Sequence, residues 1–359
     1  MGYPRLLIYP EVIKKNGRIL YDLCAEAGIE AVAVIKGFNA LPPFLQALWE
    51  GGFRCFSSSR IAHLEEAKKL FPTCKTMLRI PMLSELAKML QHVDISLHSE
   101  AQVLEALNQE ALRQQRRHQV ILMRDLGDLR EGIFCREKLY LLASQVESME
   151  GLDLLGIGTN LTCYGSIIPT EKNLGELVED ALEIEKRIGR KLEVVSGGNT
   201  SSLPLLIRGG MPKGISQLRI GEALTVPCDL IDYWKSPLPG LSNAALILEA
   251  EIVEIGEKPT FPIGEKARNA FGYETTYVDR GLRNRAILAL GLADIGDENK
   301  LIPEDAGVDI LGASSDHLIV DIQNSEQSYK LGDIMRFQLR YKSMLFSCAS
   351  TCIENVICE

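Results

Sequence analysis

Between residues 30 and 222 the chain repeats one unit: a short apolar, β-branched run followed by a longer segment with helical spacing. Runs at 31–35, 53–56, 76–80, 93–97, 119–123, 154–157, 192–195 and 216–220 make eight strand candidates, with helical segments such as 41–49, 61–70, 83–90 and 100–113 between them. Strands covered on both faces read as continuous apolar runs rather than as alternation. Strand–helix alternation of this count predicts a (β/α)8 TIM-like barrel of about 200 residues. An open, doubly wound sheet remains the alternative, because counting strands does not show closure.

Residues 225–243 carry three prolines and no clear period, and are read as a linker. Beyond them the pattern is strand-like at 245–255, 273–278, 285–290, 308–311, 318–322 and 334–340. Residues 244–359 are therefore expected to form a C-terminal β-domain. Residues 1–10 hold a further strand candidate, 6–9, available to that domain, which leaves 11–224 for the barrel.

With 39 Lys+Arg against 48 Asp+Glu the net charge is −9, which argues against a nucleic-acid partner. Nine dispersed cysteines without a Cys-x-x-Cys suggest a reduced chain without a zinc site. The first residues reach Glu11 and Lys14 too soon for a signal peptide, and no apolar stretch is long enough to span a membrane. The expectation is a soluble, cytoplasmic protein with no membrane partner.

A barrel gathers its chemistry where the strands end. Lys36 closes the first run. There its amine either loses part of its hydration, gaining nucleophilicity, or snorkels to water. After the fifth run comes the charge-rich turn 124–132, a solvated loop or a place for Arg130 to hold an anion. The sixth run ends in 156–165, with small residues around Asn160. The seventh ends in Ser196, Gly197, Gly198, Asn199 and Thr200 at a helix start, and the eighth in Arg219, Gly221 and Glu222. Glycines and hydroxyls opening a helix offer N–H groups to an anion, and barrels often seat phosphate after strands 7 and 8. With a lysine at the mouth, a phosphate-bearing aldehyde is the indicated ligand.

These segments resemble the alanine racemase superfamily of pyridoxal-phosphate enzymes and, within it, the alanine/ornithine racemase group. The resemblance rests on RIPML (79–83), DLGDLREG (125–132), GIGTNLTCYG (156–165), VSGGNTSSL (195–203), LRIGE (218–222), RAILALG (285–291) and LGASSDHLIVDI (311–322). It implies pyridoxal 5'-phosphate as cofactor, Lys36 as its Schiff-base lysine, Arg130 near the phenolate and Arg219 at the pyridine nitrogen. Ser196, Gly198, Asn199 and Thr200, with Gly221 and Glu222, would lie about the phosphate, and Asn160 would stand where the family has a ring-stacking histidine. The implied activity is racemisation of a free amino acid, ornithine first. Broader lysine/arginine or alanine racemases, or a non-catalytic pyridoxal-phosphate carrier, are the alternatives. A homodimer is implied in which one subunit's β-domain completes the other's site.

Two departures from the family pattern matter. Ala40 replaces a tyrosine, and Leu292 replaces the tyrosine that serves as the second base. His317 and Asp316 are the candidates for the second proton or for a distal ammonium, although Ser314 and Asp316 could simply stabilise a turn. His98, Tyr164 and Tyr341 are further candidates for the proton. Asp94, Asp128 and Glu222 are further candidates for the ammonium.

Overall fold

The computed structural model describes residues 2–72, 74–269, 271–272, 274 and 276–359. Contacts divide the chain into two units, residues 11–242 and residues 1–10 with 243–359.

A first strand, β1 (Arg5–Ile8), and helix α1 (Pro10–Glu26) precede eight parallel strands. These are β2 (Glu30–Val34), β3 (Cys55–Ser58), β4 (Cys74–Met77), β5 (Ile95–His98), β6 (His118–Met123), β7 (Leu152–Gly158), β8 (Val194–Ser196) and β9 (Gln217–Ile220). They form a closed barrel in chain order, with β9 returning to β2 in the register Val32↔Arg219. Closure excludes the open-sheet alternative. Helices α2 (Pro42–Glu50), α3 (Ile61–Leu70), α4 (Leu86–His92), α5 (Ala101–Arg113), α6 (Arg136–Glu147), α7 (Glu171–Ile188) and α8 (Leu203–Ile207) follow the successive strands.

Period-2 alternation decides which side chains face inward. Ile95, Leu97, Ile121, Met123, Leu155 and Val194 pack together in one cluster. Met123 also belongs with the residues around Gly158 and Arg219: a Cβ built on Gly158 would lie 3.4 Å from both Met123 Sδ and Arg219 Nη1. The inner face of β5 is therefore Ile95 and Leu97, and Ser96 and His98 point outward. At Gly156 a Cβ would lie 1.8 Å from the Val194 carbonyl, so only glycine lets β7 and β8 approach as they do.

The second unit holds β10 (Leu246–Pro259), β11 (Leu282–Leu288), β12 (Leu301–Pro303), β13 (Asp309–Ala313), β14 (Leu318–Asp321), β15 (Ile334–Leu339) and β16 (Glu354–Ile357). Six of them run in the order β12-β15-β10-β11-β14-β13, antiparallel throughout. β1 adds to β10 antiparallel and to β16 parallel. The strand expected at 273–278 includes Tyr273 and Thr275, which lie outside the described residues; Glu274 and residues 276–278 carry no strand. The reading of this region as strands alone is corrected at Leu292–Ile295 and Tyr341–Ser347, which are helical. In Tyr341–Ser347 the buried residues Ser343, Met344 and Ser347 fall three and four apart, a helical stripe too short to be seen against the strands around it.

Candidate active site

The mouth of the barrel is assembled from five strand ends. Lys36 follows β2 in a turn that ends in two left-handed residues, Asn39 and Ala40. His63 fixes that turn, since its ring nitrogens meet Ser58 Oγ and Asn39 Oδ1, each at 2.9 Å. Among the described residues the Lys36 amine makes no hydrogen bond or ion pair. Burial holds it below the ordinary lysine pKa; the charges of Arg130 and Arg219 push the same way, and Cys163 and Glu131 oppose them.

Arg219 is 3% exposed. Its Nη2 donates to the Thr159 carbonyl at 2.6 Å and its Nη1 to Ser196 Oγ. Ser196 Oγ in turn donates to Gln217 Oε1 at 2.9 Å, and Gln217 Nε2 donates to Glu30 Oε2 at 2.8 Å. A polar chain thus runs from buried Arg219 down the inside of the barrel to exposed Glu30 at its opposite end. Burial lowers the guanidinium pKa to about 10, which still leaves it charged at neutral pH. Ser196, expected beside a phosphate, serves this chain.

The loop after β8 turns several donors toward one place. Gly198 has φ +106°, and a Cβ there would lie 2.9 Å from Ser202 Oγ, so the turn requires glycine. The Asn199 side chain accepts from Ser201 N at 2.8 Å and donates to Asn160 Oδ1 and the Leu161 carbonyl, each at 2.9 Å. Thr200 Oγ1 accepts from Gly221 N at 3.2 Å. These side chains shape the loop and leave the backbone N–H groups of Gly198, Asn199 and Thr200 without an acceptor among the described residues. Ser201 Oγ and Asn160 Nδ2, both buried atoms, likewise have no partner there. Buried donors without acceptors are costly, and an oxyanion would satisfy them together.

Arg130 lies in the 125–132 turn, paired through two of its nitrogens to Glu131, whose hydrogen bonds raise the guanidinium pKa further. The charges of Arg130 and Glu131 are both felt at Lys36 and Arg219. Glu131 and Gln217 were not singled out in the sequence. Gln217 could have been, since it stands two residues before Arg219 and shares its strand face.

Asp94 and His98 lie away from the mouth, and Asp128 is engaged in bracing its loops. Asp94 precedes β5 at the other end of the barrel, pairing with Lys75 Nζ at 3.1 Å and accepting from Lys75 N. The Asp128 carboxylate accepts from the backbone N–H groups of Cys163, Tyr164 and Ile167, which strap the 159–167 loop and hold its pKa below the usual value despite burial. His98 faces outward, where Ser96 Oγ bridges it at 2.7 Å to His118 at 2.8 Å.

Glu222 opens the short helix Glu222–Leu224 after β9. In the second unit, Asp316 and His317 are exposed on a turn in which Ser314 N donates to the His317 carbonyl at 2.8 Å and His317 N to Ser314 Oγ at 3.2 Å. Ser315 Oγ donates to Asp316 at 2.7 Å. Leu292 N and Ala293 N donate to the carbonyls of Ser314 and Ser315 at 2.8 and 3.1 Å. The His317 turn is thereby joined to the segment that carries Leu292.

Residues 8–227 match the family model described as "Alanine racemase, N-terminal domain". An ornithine racemase from Acetoanaerobium sticklandii is 40% identical over 98% of this chain and 99% of its own. A lysine racemase from Thermotoga maritima is 38% identical over 99% of each. Among solved structures, alanine racemase from Streptomyces lavendulae superposes with a TM-score of 0.73 at 16% identity, over 100% of this chain and 98% of that one. D-threonine aldolase from Filomicrobium marinum gives 0.72 at 12% identity, over 97% and 88%. At such identities the structures show a shared fold alone.

Proposed function

The chain belongs to the alanine racemase family, and from that premise we propose that it is a pyridoxal-phosphate-dependent racemase of free amino acids, with ornithine its principal substrate. The observation that carries the reading is the match, over nearly the whole chain, to racemases of two basic amino acids. The mouth fits the cofactor on its own terms: one half-buried amine and three consecutive N–H groups that have no hydrogen-bond partner among the described residues, and a buried arginine. Gly198, Asn199 and Thr200 would hold the phosphate through the backbone, Lys36 would link to the aldehyde, and Arg219 would meet the pyridine nitrogen. When bound, pyridoxal phosphate supplies the electron sink for the pair left on Cα as its proton departs.

The residues divide the remaining work. A lysine whose charged form is disfavoured by burial is more often free as the neutral amine, able to take the Cα proton on one face and return it. Arg219 keeps its own proton at neutral pH, so it would donate to the pyridine nitrogen and leave that nitrogen unprotonated. This moderates the sink and favours reprotonation over side reactions. Arg130, fixed by Glu131, would hold its guanidinium toward the cofactor phenolate.

Leu292 moves no proton, so the opposite face needs another acid/base. We assign it to His317, with Asp316 or Glu222 receiving the substrate's distal ammonium, in a homodimer whose sites are completed across subunits. The joining of the His317 turn to the Leu292 segment supports this assignment. A protein that only carried the cofactor would show no turnover.

The purified protein should show a visible absorbance band that borohydride removes. It should also discharge the circular dichroism of L-ornithine faster than that of L-lysine or L-alanine. A band with no change in any of the three would reject the racemase reading. His317→Ala should abolish racemisation and leave the band intact, and unchanged turnover would reject the role of His317.

A further inference from the structure

At the end of the barrel opposite Lys36, Cys55 and Cys74 begin the neighbouring strands β3 and β4 and stand in register with one another. We propose that these two thiols form a reversible disulfide, a modification site of the barrel floor that responds to peroxide. Adjacent strands lie about 4.8 Å apart. In-register Cα atoms on them therefore fall inside the roughly 4.4–6.8 Å window that a disulfide spans. No other pair of cysteines is in register on adjacent strands among the described residues.

The environment gives the two sulfurs different parts. Cys55 is buried and Cys74 partly exposed. The Cys55 thiol donates to Cys74, which raises the pKa of Cys55 and lowers that of Cys74 in spite of burial and the nearby charges of Asp94 and Glu30. The more accessible sulfur is thus the one more readily ionised, and thiolate character with access governs oxidation. A metal is the competing use of paired cysteines. However, no group of three or more His, Cys, Asp or Glu is placed to hold one among the described residues.

The chemistry balances with hydrogen peroxide as oxidant. The Cys74 thiolate attacks one peroxide oxygen, the O–O bond breaks, and Cys74 becomes a sulfenic acid as hydroxide leaves. The Cys55 sulfur then displaces the sulfenic oxygen, forming the S–S bond. The departing hydroxide takes the Cys55 thiol proton and leaves as water. Two electrons, one from each sulfur, have reduced the peroxide, and a dithiol reductant reverses the change. The bond would close a loop of about 20 residues through α3, a constraint that stabilises chiefly by restricting the unfolded chain.

The test uses the wild-type holoenzyme, treated with a few equivalents of hydrogen peroxide, alkylated with iodoacetamide and digested with trypsin. Arg54, Arg60, Lys69 and Lys75 place the two cysteines on the peptides 55–60 and 70–75. The expected result is a linked 55–60/70–75 species 2 Da lighter than the sum of the two free peptides, abolished by dithiothreitol. In Cys55→Ser, Cys74 should instead be trapped by dimedone as a sulfenic acid. Recovery of both wild-type peptides fully alkylated, or of Cys74 over-oxidised beside an alkylated Cys55, would overturn the proposal.

Discussion

Replacing Arg219 with methionine should slow racemisation at least ~10-fold while leaving the apoprotein at least as stable as before. The guanidinium pKa falls from 12.5 to about 10 because the group is desolvated. At about 1.4 kcal/mol per tenfold change in the proton equilibrium, that is roughly 3 kcal/mol. The sign is unfavourable to folding: the unfolded chain holds this proton more tightly, so the whole cost is present below pH 10 and is relieved only as pH rises toward 12.5. At pH 7.5 the fold therefore bears it in full. Against this stand the hydrogen bonds. Ser196 Oγ keeps its bond to Gln217 when Arg219 is gone, and the Thr159 carbonyl loses its donor. An unpaired buried acceptor costs about 1–3 kcal/mol. The balance lies between no change and about 2 kcal/mol in favour of methionine, before any gain from burying its thioether chain.

For a unit of this size 1 kcal/mol moves the thermal midpoint by about 2–4 °C. Scanning fluorimetry of cofactor-free protein should place Arg219→Met between the wild-type midpoint and about 8 °C above it, with turnover on L-ornithine down at least ~10-fold, as for a lost electrostatic contact. A midpoint more than about 4 °C below wild type would show that Arg219 holds the barrel together, and the division of labour argued above would be wrong. Wild-type turnover in the variant would refute its role toward the cofactor.

His98 and His118 are buried neutral, with pKa values lowered by desolvation to about 3 and about 4. Both should cost stability as pH falls below about 6.5, where the unfolded chain takes up protons that the fold refuses, by up to about 1.4 kcal/mol per pH unit each. His118→Gln should flatten the slope of the urea midpoint between pH 6 and 4.5. Gly156→Ala drives a methyl into the Val194 carbonyl, so it should cost about 3 kcal/mol, the upper end for overpacking, or prevent soluble expression; a midpoint within a few degrees of wild type would contradict the β7–β8 packing. Asp128→Asn removes the charge that gathers three backbone N–H groups. It should speed hydrogen exchange across 163–167 and raise KM more than it lowers kcat.

The eight barrel strands were legible because each is covered on both faces and reads as a short, mostly apolar run without regular alternation. The same property hid their orientation. A run that is apolar on both sides does not reveal which residues face inward, so His98, at a strand end, could not be told from a mouth residue. Where a strand begins decides as much: Asp94 falls within the 93–97 run, but β5 starts at Ile95, and this places its carboxylate on the floor. In the second unit the misses are elements that bury little. β16 is exposed at three of its four residues, β12 has three residues, and Tyr341–Ser347 makes barely two helical turns.

Lys36 stood out in the sequence because a charged residue at the end of an apolar run has few places to go, whereas Arg219 took its role from the family resemblance. The sequence could not show how those charges are supported. Hydrogen bonds reach Arg219 through Ser196 from Gln217 and Glu30, residues on three strands, and only closure of the barrel brings β9 beside β2. Topology likewise accounts for the loop after β8. Seen as a string, Asn199 and Thr200 are anion ligands; folded, their side chains turn to Asn160, Ser201 and Gly221, and the backbone N–H groups are what an anion would meet. Substitutions that keep the loop's backbone should therefore be gentler than residue identity suggests. Thr200→Ser retains the hydroxyl that accepts from Gly221 and should hold the cofactor within about threefold of wild type. Thr200→Val loses that acceptor and should weaken it about tenfold or more, the equivalent of one hydrogen bond. Equal affinity in the two variants, measured by cofactor titration of the apoprotein, would mean that Gly221 does not brace that loop.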